Sequence, residues 1–171
     1  MAVNTITYAN KVNLNENSGI AEINKITDAN MNEIKSVVNN NATELSNLQG
    51  TILWTNSSPT SSFAAQTITL DTSMANFDCY ETICKVGDAG ADALRTVTSG
   101  MTLKGYGQRI AMVYAGSSSA GVNCYTRSVE YVSDTSLSFD NGYRAVGNTT
   151  RTQANGLLVP LYVIGYKTGL F

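Results

Sequence analysis

Carboxylates are the main side chains of this sequence that offer acid–base chemistry, because the 171-residue chain contains no histidine. Without histidine, neither a Ser-His-Asp nor a Cys-His catalytic arrangement can form. Paired carboxylates can still hydrolyse glycosides, and the second part of the chain supplies Asp71, Asp78, Glu81, Asp88, Asp92, Glu130, Asp134 and Asp140. Most of them stand in predicted turns, where aspartate bonds nearby backbone amides. We therefore predict no catalytic residues and no enzyme, with a carboxylate-based glycan hydrolase as the weaker alternative.

No motif indicates a metal or cofactor site. The three cysteines, Cys79, Cys84 and Cys124, lack CxxC spacing. Cys79 and Cys84 would point to opposite faces of an extended strand, so buried free thiols are predicted and a disulfide is not. The segment 87–93 lacks the alternating oxygen ligands and the final glutamate of a calcium loop. No phosphate-binding glycine motif occurs either. The prediction is a protein without metal and without cofactor.

Residues in the polar, turn-rich part of the chain are candidates for binding a ligand, namely Tyr106, Tyr125, Tyr131, Tyr143 and Arg144. Tyrosine rings can stack on a sugar ring, and polar loops can hydrogen-bond its hydroxyl groups. Each tyrosine has an alternative role in the core or in a subunit interface, and Arg144 has one as a solvated charge. These residue types are better suited to binding a ligand than to catalysing a reaction.

The charge of the chain argues against some partners. Its net charge is −2 and its pI is near 5.0, and its 11 lysines and arginines form no cluster, so nucleic acid is not an expected partner. No apolar run reaches the roughly 20 residues of a membrane span. The first residues lack the charged and apolar regions of a signal peptide. Membrane insertion and signal-directed export are therefore not expected.

The elements that would position these residues change in character near Gly50. From residue 27 to residue 49 glycine and proline are absent and apolar residues recur three and four apart, which predicts a helix over 27–50. Thr27 is a suitable N-cap residue, and Gly50 supplies a C-terminal stop. Residues 1–26 would form an N-terminal linker segment.

Apolar positions of this helix alternate three and four residues apart, as in the a/d seam of a coiled coil. The seam consists of Met31, Ile34, Val38, Asn41, Leu45 and Leu48. Asn41 stands at a d position, where a buried amide costs stability but fixes the register. The seam is shorter than three heptads, and the helix contains the poor helix formers Asn39, Asn40 and Asn41, so it needs a partner. Its narrow stripe favours parallel self-association, and packing on its own β-domain is the alternative.

Residues 51–171 are predicted to form short antiparallel strands of a sandwich or barrel. The predicted strands are 51–55, 65–70, 78–86, 94–103, 109–115, 122–132, 136–139 and 156–167. In the third strand one face, expected to be the core face, carries Tyr80, Thr82, Cys84 and Val86. The last strand is apolar on both faces, which indicates either a covered central strand or a subunit interface. Pro160 cannot donate a ladder hydrogen bond and so indicates an edge or a bulge.

Three segments resemble a known class of protein. Segment 10–45, which contains INKITDANMNEIK, resembles the N-terminal linker of tail-fibre and receptor-binding proteins of phages and prophages of Gram-positive bacteria. Segments 52–70 (ILWTNSSPTSSFAAQTITL) and 157–167 (LLVPLYVIGYK) resemble the β-domain that often ends such chains. The resemblance does not extend to residues 71–155.

The resemblance implies a mainly β fold with an N-terminal helix, in which a short trimeric coiled coil at 27–50 is followed by an antiparallel, jelly-roll-like β-sandwich at 51–171. It implies a homotrimeric virion protein, made in the bacterial cytoplasm, whose residues 1–26 attach to other virion proteins. The distal β-domain would adhere to the host surface, with bacterial surface polysaccharide as the expected ligand. The alternative is a purely structural head or tail decoration fibre.

Overall fold

A helical segment and a β-unit make up the part of the chain that can be described. The computed structural model describes residues 28–87, 95–115, 122–147 and 150–168. The chain divides into two compact units, Met1–Gln49 and Gly50–Phe171. In the first unit, helix α1 runs over Asp28–Leu48, so the predicted helix is confirmed to within two residues at each end. The predicted N-cap Thr27 and the linker segment 1–26 lie outside the described residues.

Several large apolar residues of the predicted a/d seam of helix α1 are exposed, while the side chain of Leu48 lies outside the described residues. Ile34, Val38 and Leu45 are 52%, 41% and 51% exposed. Asn41 is exposed as well, and Met31 is half-buried. At a/d spacing these residues share one face of the helix. The helix therefore carries an apolar stripe whose large residues remain about half exposed to solvent.

The described residues of the second unit form eleven strands, and every pair of them is antiparallel. The strands are β1 (Thr51–Thr55), β2 (Gln66–Thr69), β3 (Cys79–Gly87), β4 (Thr96–Thr98), β5 (Thr102–Leu103), β6 (Gln108–Ala115), β7 (Val122–Ser133), β8 (Ser136–Phe139), β9 (Tyr143–Val146), β10 (Thr152–Gln153) and β11 (Leu157–Tyr166). The mainly β, antiparallel architecture predicted from the sequence is confirmed.

The strand prediction is wrong in two places. The single strand predicted at 94–103 is two short strands, β4 and β5, because the chain turns between them at Gly100, which has a φ of 73°. Only glycine adopts that conformation at low cost. Strands β9 and β10 are absent from the prediction, since they are four and two residues long and too short for alternation to be visible.

The strands form two sheets that face each other. Sheet A has the order β1-β11-β3-β4, with β5 also paired to β3, and sheet B has the order β10-β9-β7-β8-β2, with β6 paired to β7. Strand β7 is the centre of sheet B, because β6 runs along it while β9 pairs with its first half and β8 with its second half. Apolar side chains of both sheets meet in one buried cluster. The unit is therefore a two-layer β-sandwich.

The core lies between the inner faces of the two sheets. The side chains predicted to face it from β3 are at most 1% exposed, and they are Tyr80, Thr82, Cys84 and Val86. An aromatic group closes one part of this core, with ring centroids 5.4–6.1 Å apart between Trp54, Phe63 and Phe139. The core face read from the period-two pattern is confirmed.

Strand β11 lies between β1 and β3. Its register against β3 shifts between Pro160 and Tyr162, which confirms the bulge expected at this proline. Val159 and Val163 are fully buried, whereas Tyr162 is 38% exposed and Ile164 is half-buried. Part of the apolar surface of β11 is thus buried in the core, and part contacts solvent.

A buried arginine ties the two sheets to the loops around them. Arg127 in β7 is 1% exposed, and its guanidinium donates hydrogen bonds to backbone carbonyl oxygens. The acceptors are the oxygens of Leu158, Asp140, Phe63, Leu157 and Asn155, at 2.7, 2.5, 3.0, 3.2 and 3.4 Å. Burial lowers the pKa of Arg127 to about 10, against the raising effect of Cys84 and Asp140. The guanidinium is therefore still charged at neutral pH.

Arg127 occupies the junction where the partner of β7 changes. The pairing of β9 with β7 ends at Thr126, and the pairing of β8 begins at Val129. The guanidinium binds carbonyl oxygens at the start of β11 and in the loops at residues 63, 140 and 155. Hydrogen bonds from a charged donor are about twice as strong as neutral ones. In the described part of the chain no buried side-chain nitrogen or oxygen lacks a partner.

Two backbone features depend on this guanidinium. Leu158 has a φ of 48°, a left-handed conformation that costs a residue with a β-carbon roughly 1–2 kcal/mol. Its carbonyl accepts the hydrogen bond from Arg127 Nε. At Gly142 an added Cβ would lie 2.6 Å from the oxygens of Ala154 and Leu157 and 2.8 Å from Arg127 Nη2. Only glycine at position 142 leaves room for the carbonyl oxygens of Ala154 and Leu157 and for the Arg127 guanidinium.

Replacing Arg127 by methionine should lower the free energy of unfolding by about 3 kcal/mol or more, because it leaves several buried carbonyls without a donor. Urea unfolding followed by the fluorescence of the single tryptophan measures the change. The exposed Arg144 is the matched control, and Arg144→Met should cost less than about 1 kcal/mol. A loss below about 1 kcal/mol for Arg127→Met would contradict the assigned role.

Gly142→Ala should lower the free energy of unfolding by about 1–3 kcal/mol through overpacking against the carbonyls and the guanidinium. In an Arg127→Met background the same substitution should cost less, since one of the clashing groups is gone. A double-mutant cycle measures this coupling. Full additivity of the two substitutions would show that Gly142 does not serve the arginine.

Candidate functional site

The residues predicted to bind a ligand do not form one site. Tyr106 is 66% exposed in the turn between β5 and β6, and Tyr131 is half-buried in β7. Tyr125 is only 4% exposed and belongs to the core, which is the alternative role considered for it. Strand alternation places Tyr125 on the inner face of β7. Tyr143 and Arg144 are neighbours in β9 and therefore point to opposite faces of sheet B.

Tyr106 and Tyr131 make separate contacts with the rest of the β-unit. The Tyr131 hydroxyl donates to Asp134 Oδ1 at 2.5 Å, and Lys104 Nζ lies 3.8 Å from the same oxygen. The Tyr106 carbonyl accepts a hydrogen bond at 2.6 Å from the hydroxyl of the buried Tyr80. The turn is thus anchored through its backbone while the Tyr106 ring stays exposed. The Tyr131 hydroxyl is engaged inside the protein.

Four of the carboxylates considered for catalysis serve local structure. Hydrogen bonds from backbone N–H groups or tyrosine hydroxyls engage the carboxylates of Asp78, Glu81, Asp134 and Asp140. Asp88 and Asp92 lie outside the described residues. Within the described ranges, no group of three or more His, Cys, Asp or Glu side chains is placed to hold a metal ion.

The thiols differ in burial. All three cysteines are free, as predicted, and Cys79 and Cys84 are buried, but Cys124 is only half-buried, so its predicted burial is wrong. Burial raises the pKa of the Cys84 thiol to about 12, with Arg127 acting in the opposite direction. A thiol held protonated in this way is a poor nucleophile. Cys124 has a different position, on the outer face of sheet B.

The outer face of sheet B carries a concavity that the sequence analysis did not identify. Its volume is about 230 Å³, and it is lined by Arg109, Ile110, Ala111, Cys124, Thr126, Arg127, Ser128, Ala145 and Arg151. We call it the arginine groove. It is smaller than the roughly 300–1,000 Å³ of sites for drug-sized ligands. Its size therefore suits one small group, such as a single sugar ring.

Small side chains on three neighbouring strands form the floor of the arginine groove. Thr126 of β7 lies opposite Ala111 of β6, and Cys124 lies opposite Ala145 of β9. Residues directly opposite each other in an antiparallel ladder project from the same face. Because the alternate residues of β7 are buried in the core, these side chains face outward. Larger side chains at these positions would fill the groove.

Two arginines flank this floor. Arg109 lies opposite Ser128 in the β6–β7 ladder. Arg151 is stacked on Tyr143, with its Cζ 3.4 Å from the ring centroid, which is a close cation–π contact. Over the described ranges, no hydrogen bond or ion pair joins the guanidinium of Arg109 or Arg151 to another residue. Tyr143 thus contributes to this face by holding Arg151.

Sequence reasoning missed the arginine groove for identifiable reasons. The alternation of Cys124, Thr126 and Ser128 on one face of β7 is a visible signal of a small, polar strand surface. The two arginines gave no such signal, because 42 positions separate Arg109 from Arg151. Their approach depends on the pairing of β9 with β7, and β9 was not predicted.

Comparison with protein-family models, with characterised proteins and with solved structures found no match to this chain. Over the described residues, no helix combines the length and the hydropathy needed to cross a membrane.

The tyrosine that anchors the Tyr106 turn should make the protein sensitive to alkali. Burial, and to a lesser extent the nearby Tyr131, raises the pKa of Tyr80 to about 12, above the value near 10 of an unfolded tyrosine. The stabilisation is present below pH 10 and is lost as the pH rises toward 12, because the unfolded chain releases the proton first. Urea unfolding at pH 9, 10 and 11 measures the slope. Tyr80→Phe should flatten it, and an unchanged slope would contradict the assignment.

Proposed function

We propose that this chain is a homotrimeric virion fibre protein of a bacteriophage, and that its β-sandwich adheres to polysaccharide on the bacterial host surface. The observation that carries the proposal is the uncovered a/d stripe of α1, in which Ile34, Val38 and Leu45 remain about half exposed. A helix of 21 residues with central asparagines is marginal alone. Association of parallel copies stabilises it by about 25 cal/mol for each Å² of apolar surface buried.

The number of copies and the location are supported by the resemblance of segments 10–45, 52–70 and 157–167 to phage fibre proteins. Residues 1–26 would attach the trimer to other virion proteins. Asn41 at a d position would set a single register between the helices, at a cost in stability. The chain would be made in the bacterial cytoplasm and assembled into the particle.

The arginine groove supports the adhesive part of the proposal. Hydroxyl groups of Thr126 and Ser128 and the guanidinium N–H groups of Arg109 and Arg151 line a space for one sugar ring. None of the lining residues, all within the described ranges, is acidic. Such a site can hold a sugar through hydrogen bonds but has no carboxylate pair for glycoside hydrolysis. Binding without cleavage is the activity we assign to it.

Val38→Asp should dissociate the trimer, because it places one carboxylate from each copy at the centre of the seam, where charge is costly to bury. Sedimentation of the full chain should then give the mass of a single chain, with an unchanged β signal in circular dichroism. Ser36→Asp is the matched control, since Ser36 is exposed and lies off the seam. It should leave the trimer intact, and a trimeric Val38→Asp protein would contradict the coiled coil.

Adhesion is tested with the labelled full-length protein on a panel of Gram-positive strains. Saturable binding to some strains, competed by purified wall polysaccharide of the same strain, is the expected result. No binding to any strain would contradict adhesion and favour a decoration fibre without ligand. Release of reducing sugar ends from the polysaccharide would instead indicate a glycan hydrolase.

A further inference from the structure

We infer that the arginine groove takes an acid-bearing sugar, whose carboxylate or phosphate group lies between Arg109 and Arg151. This inference rests on the proposed adhesive function and specifies its ligand class. The charge and the donor geometry of the groove favour acidic sugars over neutral ones.

The groove is a positive site on an acidic protein. The chain has a net charge of −2, yet Arg109 and Arg151 both line the groove and no described lining residue is acidic. Glu130 is on the same face of β7, two residues beyond Ser128, and does not line the groove. The Arg127 guanidinium adds a third positive charge behind the floor, on the inner side of β7. An anionic group entering the groove therefore meets several positive charges and no lining carboxylate.

The orientation of Arg151 leaves its donors available. Its guanidinium stacks with one face on the Tyr143 ring, and the N–H donors of a guanidinium lie in its plane, at the edges. The stack therefore orients the cation without using its hydrogen-bonding groups. A carboxylate or phosphate accepts two parallel N–H bonds from such an edge. Restricting the arginine before the ligand arrives also reduces the entropy lost on binding.

The rest of the groove fits the remainder of a sugar. Thr126 and Ser128 present hydroxyl groups, which can donate to or accept from sugar hydroxyls. Ala111 and Ala145 leave the floor flat and apolar, as the face of a pyranose ring requires. The volume of about 230 Å³ restricts the site to one ring. A nucleic-acid strand needs a basic track along several successive phosphates, and two arginines on one small groove do not supply it.

The test uses the full-length protein and soluble polymers of known charge. Polygalacturonate supplies carboxylates, poly(glycerol phosphate) supplies phosphodiesters, and dextran is neutral. Calorimetry should show binding to at least one acidic polymer and not to dextran, with affinity that falls as salt rises from about 50 to 300 mM. The acidic polymer that binds identifies carboxylate or phosphate as the preferred group, and either result supports the inference.

Substitution of the two arginines locates the site. Arg109→Ala and Arg151→Ala should each weaken binding of the acidic polymer about tenfold or more. Arg144→Ala removes the same charge from the same sheet, but Arg144 bonds Asn123 and does not line the groove. This control should change the affinity less than twofold. Thermal unfolding of each variant confirms that it is folded before the comparison is made.

The outcomes separate the inference from the function on which it rests. Equal binding of dextran and the acidic polymers, or equal loss in the Arg144→Ala control, would overturn the anionic site and leave adhesion standing. Binding of single-stranded DNA in place of any acidic polysaccharide would overturn it as well. A protein that binds neither host cells nor any of the polymers would overturn the adhesive function and the inference together.

Discussion

The hydrogen bonds from Arg127 to five backbone carbonyls are the constraint on which the β-sandwich depends most. A buried cation is costly to desolvate, and it is retained only where its donors are all satisfied. Here the acceptors belong to segments far apart in sequence, such as Phe63, Asp140 and Leu158. One side chain therefore fixes the junction within sheet B, two loops and the start of β11. The left-handed Leu158 and the crowded Gly142 both lie beside this guanidinium.

Strand β7 contributes side chains both to the core and to the outer face of sheet B. Alternation along β7 sends Arg127 inward, so Thr126 and Ser128 must face outward. The small Ala111 and the flanking Tyr143 and Arg109 lie opposite them in the ladder, and the outer face of sheet B is concave there. A binding groove on a rigid strand keeps its geometry better than one on a mobile loop. Helix α1 adds a separate property, since Ile34, Val38 and Leu45 on its apolar stripe remain about half exposed.

Local pattern was enough for part of this architecture. Period-two alternation predicted the core face of β3, and three–four spacing predicted α1. Tyr125 has the core role that the sequence analysis left open as an alternative, because it shares the inner face of β7 with Arg127. The carbonyl acceptors of Arg127 could not be predicted, since backbone oxygens leave no mark in a sequence. The groove likewise depends on strand pairing, which brings Arg109 and Arg151 together from strands and turns that local reasoning did not pair.

The most direct test of the account is the molar mass of the unmodified full-length chain in solution, measured by light scattering during size-exclusion chromatography. A trimeric fibre should give three times the 18.2 kDa mass of one chain, constant over a tenfold range of protein concentration. A mass of one chain would contradict self-association through the a/d stripe, and with it the fibre that the function requires.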